Sequence, residues 1–286
     1  MNQPPVERLH GFVRHLAVGA GAILRARFKQ QRSIAHKEMA NDLVTDADRA
    51  SEAWLVHEVE KAFPSHAILA EEGGAQGVPA GAPVVWIMDP LDGTTNYAHG
   101  FPHFCVSVAA CTPAGLPLAG AVMDPMRGEL FHAARGRGAF LDEVPSGRTA
   151  LRLAVSGCPS LDVSLLATGF PYDRAHAQDN NHAEHDVLSL QTHGVRRPGA
   201  AALDLAYVAC GRLDGYWEAQ LKPWDLAAGA LLVEEAGGVC TGYAGEAFDG
   251  SQSAVVTAGP LLHPPLLDAL RTTRARLGYP ATPPRR

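Results

Sequence analysis

The stretch A-P-V-V-W-I-M-D-P-L-D-G-T-T, Ala82 to Thr95, constrains the fold more than any other part of the chain. Its apolar run reads as a strand that ends in acid. Asp89 and Asp92 would then stand together at the strand's C-terminal edge, on one loop, with Pro90 between them. Asp-Gly-Thr-Thr can also start a helix, whose first N–H groups have no partner within the helix and would face the same pocket. Hard oxygen ligands beside a phosphate cradle suit Mg2+, which keeps waters and shares coordination with substrate oxygens. Asp89 and Asp92 are therefore assigned to metal, and the N–H groups of Gly93 and Thr94 to phosphate. A polar turn with an aspartate cap would use the same residues, so the missing ligands must come from elsewhere in the chain.

Around that stretch the pattern is mixed. Val6, Leu9, Val13, Leu16 and Leu24 recur at helical spacing, which predicts an amphipathic helix over 5–28. A second helix begins near Thr45, with Leu55, Val59 and Phe63 on one face. S-H-A-I-L-A-E-E (65–72) reads as another strand ending in acid, at Glu71 and Glu72. Residues 103–111 and 117–125 read as a hairpin pair, and 128–142 as a further pair with glycine turns. This makes the first half α+β with an antiparallel-looking sheet. From about Leu151 the character changes: L-R-L-A-V-S (151–156) and V-S-L-L-A-T-G-F (163–170) look like strands. Residues 200–211 and 223–238 look like helices closing at glycine, and a polar connection over 171–194 leads into a helix. The division expected is an α+β domain over 1–145, an α/β domain over 146–270, and a helix end with a disordered tail over 271–286, P-A-T-P-P-R-R closing the chain.

The net charge of −6, without a long basic run, argues against nonspecific nucleic-acid or anionic-membrane binding. Five scattered cysteines without C-x-x-C spacing argue against a disulfide framework and a zinc ribbon. Arg14 and His15 interrupt the apolar stretch near the N-terminus, and no run approaches membrane-spanning length. A reduced, cytoplasmic, soluble protein is expected. His182 and His185 lack zinc partners and read as a solvated loop. R-G-R-G at 135–138 is no dinucleotide fingerprint, and G-x-S-x-G is missing.

Each further acid, taken alone, has a plain explanation. Thr45-x-x-Asp48 matches a capping box. Asp225, in K-P-W-D-L-A-A-G, sits where an aspartate caps a helix, although it would also reach a metal at a domain interface if the alanines let that helix approach closely. Glu71 and Glu72 fit a solvated strand end, and side-chain alternation allows only one of them to face a given pocket. Glu218, in D-G-Y-W-E-A, reads as an exposed strand residue.

Together, and in this order, E-E, D-P-L-D-G-T-T-N and W-D-x-A-A-G resemble the inositol monophosphatase family, Mg2+-dependent, lithium-sensitive phosphatases of the fructose-1,6-bisphosphatase-like superfamily. The similarity continues through D-L-V-T-D-A-D-R, P-H-F-C-V-S-V-A, L-L-A-T-G-F-P and R-R-P-G-A-A-A-L-D-L-A-Y-V-A-C-G-R-L-D-G-Y-W-E, from about Asp42 to Gly238, and is nearest to bacterial members. The resemblance implies a five-layer αβαβα sandwich of the sugar-phosphatase type and a homodimer. It implies that Glu71, Asp89, the Leu91 carbonyl and Thr94 serve one metal, and Asp89, Asp92 and Asp225 a second. Glu71 would also face a third, weaker site, with Asp48 on that side through water, so two or three Mg2+ ions are implied. Gly93 and Thr94 would donate to phosphate. Glu218 would accept inositol hydroxyls, with Gly199 and Ala201 lining the pocket and Asp92 touching the substrate. The implied reaction is hydrolysis of inositol 1-phosphate by metal-activated water, oriented by Thr94 and Glu71 with Asp48 in support.

Three positions depart from the family pattern. Ala70 to Gly73 reads Ala-Glu-Glu-Gly for the usual Gly-Glu-Glu-Ser, Ala200 stands where relatives often carry Ser or Thr, and D-E-V-P-S-G after Leu141 replaces an Asn-Gly turn. None removes a metal ligand. Two alternatives stay open. One is another phosphomonoester: fructose 1,6-bisphosphate, histidinol phosphate, NADP or 3′-phosphoadenosine 5′-phosphate. The other is a regulatory, partner-binding protein on the same scaffold.

Overall fold

The computed structural model describes residues 3–28, 34–36, 43–76, 81–144 and 148–283. Helix α1 (Val6–Arg27) buries Leu9, Val13, Leu16, Ala17, Ala20 and Leu24, spaced so that one stripe meets the core. Strands β1 (Ile34–His36) and β2 (Leu43–Thr45) pair antiparallel ahead of α2 (Asp46–Ala62). Next come β3 (Ala67–Ala70), β4 (Gly74–Gln76), β5 (Val85–Asp92), the short α3 (Thr94–Ala98) and β6 (Cys105–Cys111). Strands β7 (Pro117–Asp124), β8 (Glu129–Ala134), β9 (Gly138–Glu143) and β10 (Arg148–Arg152) complete an eight-stranded sheet of order β10-β9-β8-β7-β6-β5-β3-β4. It is antiparallel throughout, except that β3 runs parallel to β5.

The second half contributes β11 (Leu165–Thr168), α4 (His182–Gln191), β12 (Gly194–Arg196), α5 (Ala201–Ala209) and β13 (Gly215–Ala219). It ends with α6 (Pro223–Glu235), β14 (Val239–Thr241), β15 (Ala254–Ala258) and α7 (His263–Arg276). The five-stranded sheet has order β12-β11-β13-β15-β14, with β11 parallel to both neighbours and β15 antiparallel to both of its own.

Contacts between elements set the layers. Helices α1 and α2 cover the outer face of the large sheet, while α5 and α6 lie between the two sheets. Helices α4 and α7 close the far side. This is the five-layer sandwich that the motifs implied. Close approach of the middle layer depends on small residues: a Cβ on Gly120 of β7 would stand 3.0 Å from the Ala228 Cα of α6. One apolar core runs between the sheets, from Ile87 and Val122 through Leu205 and Leu231 to Val255.

Several expectations need correction. The strand read over 151–156 exists only at its first two residues, as the end of β10, which pairs with β9. That pairing spans the division expected at 145/146 and extends the large sheet to Arg152. His182 and His185 lie in the first turn of α4, their rings against Phe170, because the helix starts at His182 rather than after it. The start of the supposed loose tail is fastened: Tyr279 Oη donates to the Gln178 carbonyl (2.7 Å), and Arg274 Nε to that of Pro280 (2.9 Å). Asp42, the turn at 145–147 and the last three residues of the tail fall outside the described residues. No helix among the described residues is long and apolar enough to cross a membrane.

Candidate active site

Strand β5 carries both aspartates of the opening motif within the strand instead of on a loop beyond it. Its pairing with β6 matches Asp89 to Ser107 and Asp92 to Cys105, with a break in register between them. Two residues thus sit opposite one, which is a β-bulge, and Pro90, having no N–H to give the ladder, occupies it. On a regular strand, positions three apart face opposite sides. The inserted residue reverses that parity, so Asp89 and Asp92 share the face of Ser107 and Cys105, toward the middle helices. The bulge is itself tied down. Leu91 N–H donates to Asp89 Oδ1 (2.9 Å), and Ser51 Oγ of α2 donates to the Pro90 carbonyl (2.9 Å).

Gly93 follows at φ 92°, a left-handed conformation that glycine adopts without steric cost. A Cβ there would also meet the His103 carbonyl oxygen at 3.1 Å and the Ala200 Cβ at 3.3 Å. The chain turns at once into α3, whose first N–H groups precede the intrahelical ladder. Thr94 Oγ1 lies 3.1 Å from Asp48 Oδ1 and 3.0 Å from the Leu91 carbonyl oxygen, and donates to one of them at a time.

The two capping explanations hold, and both capping residues also face the neighbouring acids or Thr94. Asp48 Oδ2 accepts from the Thr45 N–H (2.8 Å) and hydroxyl (2.5 Å), while its other oxygen reaches Thr94. Asp225 Oδ2 accepts from Lys222 N–H (2.7 Å) at the start of α6. That helix start is fastened to the large sheet by Ser107 Oγ, which donates to the Trp224 carbonyl (3.0 Å). Glu71 and Glu72 occupy the turn after β3; Glu72 N–H donates to Glu52 Oε2 (2.9 Å), and Glu71 acts electrostatically on the aspartates.

Burial is the first cause of every proton-affinity shift here. It drives Asp89 well above the usual carboxylate range, reinforced by the charges of Glu71, Asp92 and Asp225. Asp225 is pushed up in the same way, by burial and then by Asp92 and Glu71. Asp92 rises to about 6, burial outweighing the bonds from Ala202 N–H and Cys105. Asp48 also rises to about 6, burial exceeding the lowering by its Thr45 and Thr94 bonds. Glu218, half-buried on β13, is pushed up to about 8 by burial, against the hydrogen bond from Tyr216.

Acids that crowd one another enough to raise the proton affinity of Asp89 and Asp225, with oxygen as the only donor atom, form a set suited to a hard divalent cation. Among the described residues no three His, Cys, Asp or Glu side chains close into a ready-made metal cluster, as is reasonable for carboxylates that repel one another.

Several neighbours that shape the surroundings of these acids carried no local signal. Asp92 Oδ2 is held by Ala202 N–H (2.7 Å), 110 positions away at the start of α5, and by Cys105 Sγ (3.5 Å). Asn96 Nδ2 bridges the carbonyls of His103 and Pro198 (both 2.8 Å), drawing the loop with Gly199 against α3. Buried Asp204 faces His103 Nε2 at 3.7 Å behind Asp92. Ala200 caps α5 without a side-chain bond, where a hydroxyl would have supplied one. A hollow along α2, lined by Arg49, Glu52, His57, Glu60 and Glu72, contains none of the coupled aspartates, and the chemistry places the site with the aspartates.

The inositol monophosphatase family profile matches residues 6–275. The inositol-1-monophosphatase of Synechocystis is 44% identical over 256 residues, spanning 90% of this chain and 86% of that one. A Pseudomonas aeruginosa protein named Nus factor SuhB is 51% identical over 209 residues, spanning 72% and 74%. The solved inositol monophosphatase of Anabaena (Nostoc) superposes with a TM-score of 0.81 at 40% identity, over 96% of this chain and 97% of that one. With buried, mutually coupled acids at the positions its motifs mark, this chain is a phosphatase and belongs to the inositol monophosphatase family.

Proposed function

We propose that the protein hydrolyses inositol 1-phosphate to inositol and phosphate with Mg2+ as cofactor. The observation that carries this reading is an acid cluster, Asp89, Asp92 and Asp225, in which neighbouring acids raise the proton affinity of Asp89 and Asp225, with half-buried Glu218 in the same electrostatic neighbourhood. Asp89, Asp92, Asp225, Glu71 and the Leu91 carbonyl would hold two or three Mg2+ ions. When bound, the ions lower the pKa of water and neutralise charge on the entering and leaving oxygens.

The chain's own groups do the rest. With its proton on Asp48 Oδ1, Thr94 Oγ1 presents lone pairs to a water in the site, orienting it for in-line attack. Asp48, with its affinity near pH 6, and Glu71 are the acceptors for the proton that this water sheds. N–H groups of Gly93 and Thr94 hold phosphate oxygens with fixed dipoles that need no reorganisation. Glu218 accepts from the hydroxyls of the polyol, with Gly199, Ala201 and Asp92 around it. Bound cations beside Asp92 and Asp225 would favour the ionised form of Glu218 over the proton it otherwise holds up to about pH 8. A carboxylate there disfavours a second phosphate, which argues against the bisphosphates. A cytoplasmic homodimer completes the reading.

A second reading is a partner-binding role, favoured by the Nus factor name of relatives up to 51% identical. It would draw on a surface outside the acid cluster, with a protein or nucleic-acid partner.

The test is phosphate release from inositol 1-phosphate, glycerol 2-phosphate, fructose 1,6-bisphosphate, histidinol phosphate, NADP and 3′-phosphoadenosine 5′-phosphate across Mg2+ concentrations. Preference for inositol 1-phosphate is expected, with inhibition by Li+. A flat profile or a preferred bisphosphate would overturn the substrate. Absence of Mg2+-dependent release from all six would bring the partner-binding role forward.

A further inference from the structure

Glu218 is held from two sides by residues that take no part in the reaction proposed above. Alternation along β13 puts Tyr216 and Glu218 on one face of the strand. Tyr216 is fully buried, and its hydroxyl donates to Glu218 Oε2. The carboxylate as a whole lies against the end of the parallel neighbour β11, where a Cβ built on Gly169 would fall on both of its oxygens and its Cδ. Any side chain larger than hydrogen at position 169 must displace that carboxylate or be displaced.

Gly169 is itself immobilised by a closed ring of bonds. Asn181 Nδ2 donates to the Gly169 carbonyl (2.6 Å) and to Thr168 Oγ1 (2.8 Å). Thr168 Oγ1 donates to the Trp217 carbonyl (2.6 Å), and Trp217 Nε1 donates back to Asn181 Oδ1 (2.7 Å). Thr168, Asn181 and Trp217 are all buried. A buried network whose members satisfy one another is rigid, whereas a partly satisfied one is not. The ring therefore fixes the wall on which the carboxylate rests, and Tyr216 fixes the carboxylate on the wall.

We infer that Tyr216 and Gly169 are positioning residues that set the orientation of Glu218, and through it the preference for phosphate esters of neutral polyols over esters without hydroxyls. The inference rests on the polyol reading of Glu218. A carboxylate offers about four lone-pair sites. Tyr216 occupies one and leaves the rest, in a fixed direction, for hydroxyl donors on the substrate. Orientation held in advance lowers the ordering cost of binding, so its loss falls on substrates that use the carboxylate.

The test compares wild type, Tyr216→Phe, Glu218→Gln and the double variant on inositol 1-phosphate and on p-nitrophenyl phosphate at saturating Mg2+. In Tyr216→Phe the ratio of kcat/KM for inositol 1-phosphate over p-nitrophenyl phosphate should fall about 5-fold, the size of one ordinary hydrogen bond, through KM and not kcat. On the Glu218→Gln background the same change should have no further effect on the ratio. Gly169→Ala should lower the ratio more, and because it acts by displacement, Gly169→Ser should be no milder. Equal losses on both substrates in Tyr216→Phe, or losses that add on the Glu218→Gln background, would reduce Tyr216 to a structural residue. A wild-type enzyme without preference for inositol 1-phosphate sinks the polyol reading and this inference with it. A wild-type preference that survives Tyr216→Phe sinks the inference alone.

Discussion

Two groups of buried charge lie on opposite faces of the five-stranded sheet, and they are built on opposite principles. On the outer face, Arg274 of α7 is 1% exposed and fully answered. Its guanidinium donates to Asp179 through both terminal nitrogens (2.9 and 2.6 Å) and to Glu184 at 2.7 Å, between the rings of Tyr243 and Tyr279. On the inner side, Asp92 raises the proton affinity of Asp89 and Asp225, and the groups named as holding the three are backbone N–H and thiol donors that carry no charge. Among the described residues the outer carboxylates share a guanidinium, whereas the inner ones are flanked by further acids. The difference teaches that imbalance, more than burial, marks a site shaped around something the chain does not supply.

The sharpest way to break the comparison is to remove one inner acid. In Asp92→Asn, kcat/KM should fall about 1,000-fold, some 4 kcal/mol of transition-state stabilisation. The metal-free protein should melt higher, because one member of a repelling set is gone. Wild-type turnover at limiting Mg2+ would end the assignment of Asp92. The outer cluster should answer in the opposite sense. Arg274→Met keeps most of the side-chain volume but leaves buried Glu184 and partly buried Asp179 unanswered, which costs about 3–5 kcal/mol. Urea unfolding should show that loss while the folded fraction retains turnover. A loss of turnover with unchanged stability would reverse the roles given to the two clusters.

The inner cluster was legible in the sequence and the outer one was not, for a physical reason. The site acids come in short stretches where composition and spacing carry the chemistry: a strand ending in Glu71, another in Asp89, a helix starting at Asp225. The five-layer arrangement followed from the same motifs. Local logic also identified the caps at Asp48 and Asp225, though not that one carboxylate would cap with one oxygen and serve the site with the other. What stayed hidden depends on the packing of distant segments. Arg274 meets Asp179 across 95 positions, and Ala202 meets Asp92 across 110. Neither pair has a local pattern. The bulge at Pro90 lies between: proline in a strand signals irregularity, but only the register with β6 shows that it turns Asp92 onto the face of Asp89. The end of the large sheet was misplaced because β10 is an edge strand, where pairing with β9 and not apolar alternation decides the boundary.

The smallest effect tests the imbalance through pH. Burial raises Asp92 from its ordinary 3.8 to about 6 in the folded, metal-free protein. Below about pH 4 the group is protonated in both folded and unfolded chains, and its contribution to stability is fully present. As pH rises through about 6 the unfolded chain has already released its proton, while the folded chain must ionise a buried group, so that contribution is lost. The expected size is on the order of 1–3 kcal/mol, from a shift of about two units. Metal-free wild type should thus lose stability between pH 4 and 6 relative to metal-free Asp92→Asn, whose amide does not titrate there; the difference between the two curves reports Asp92 together with its effect on Asp89 and Asp225. Mg2+ should flatten the wild-type curve, because the cation binds the ionised acids and stabilises by about 2.7 kcal/mol at 100 times its Kd. Arg274→Met, whose inner acids are intact, should keep the whole Mg2+ effect. If metal-free wild type and Asp92→Asn instead run parallel from pH 4 to 6, the inner acids are already balanced by a cation of the chain itself, and the contrast between the two clusters disappears.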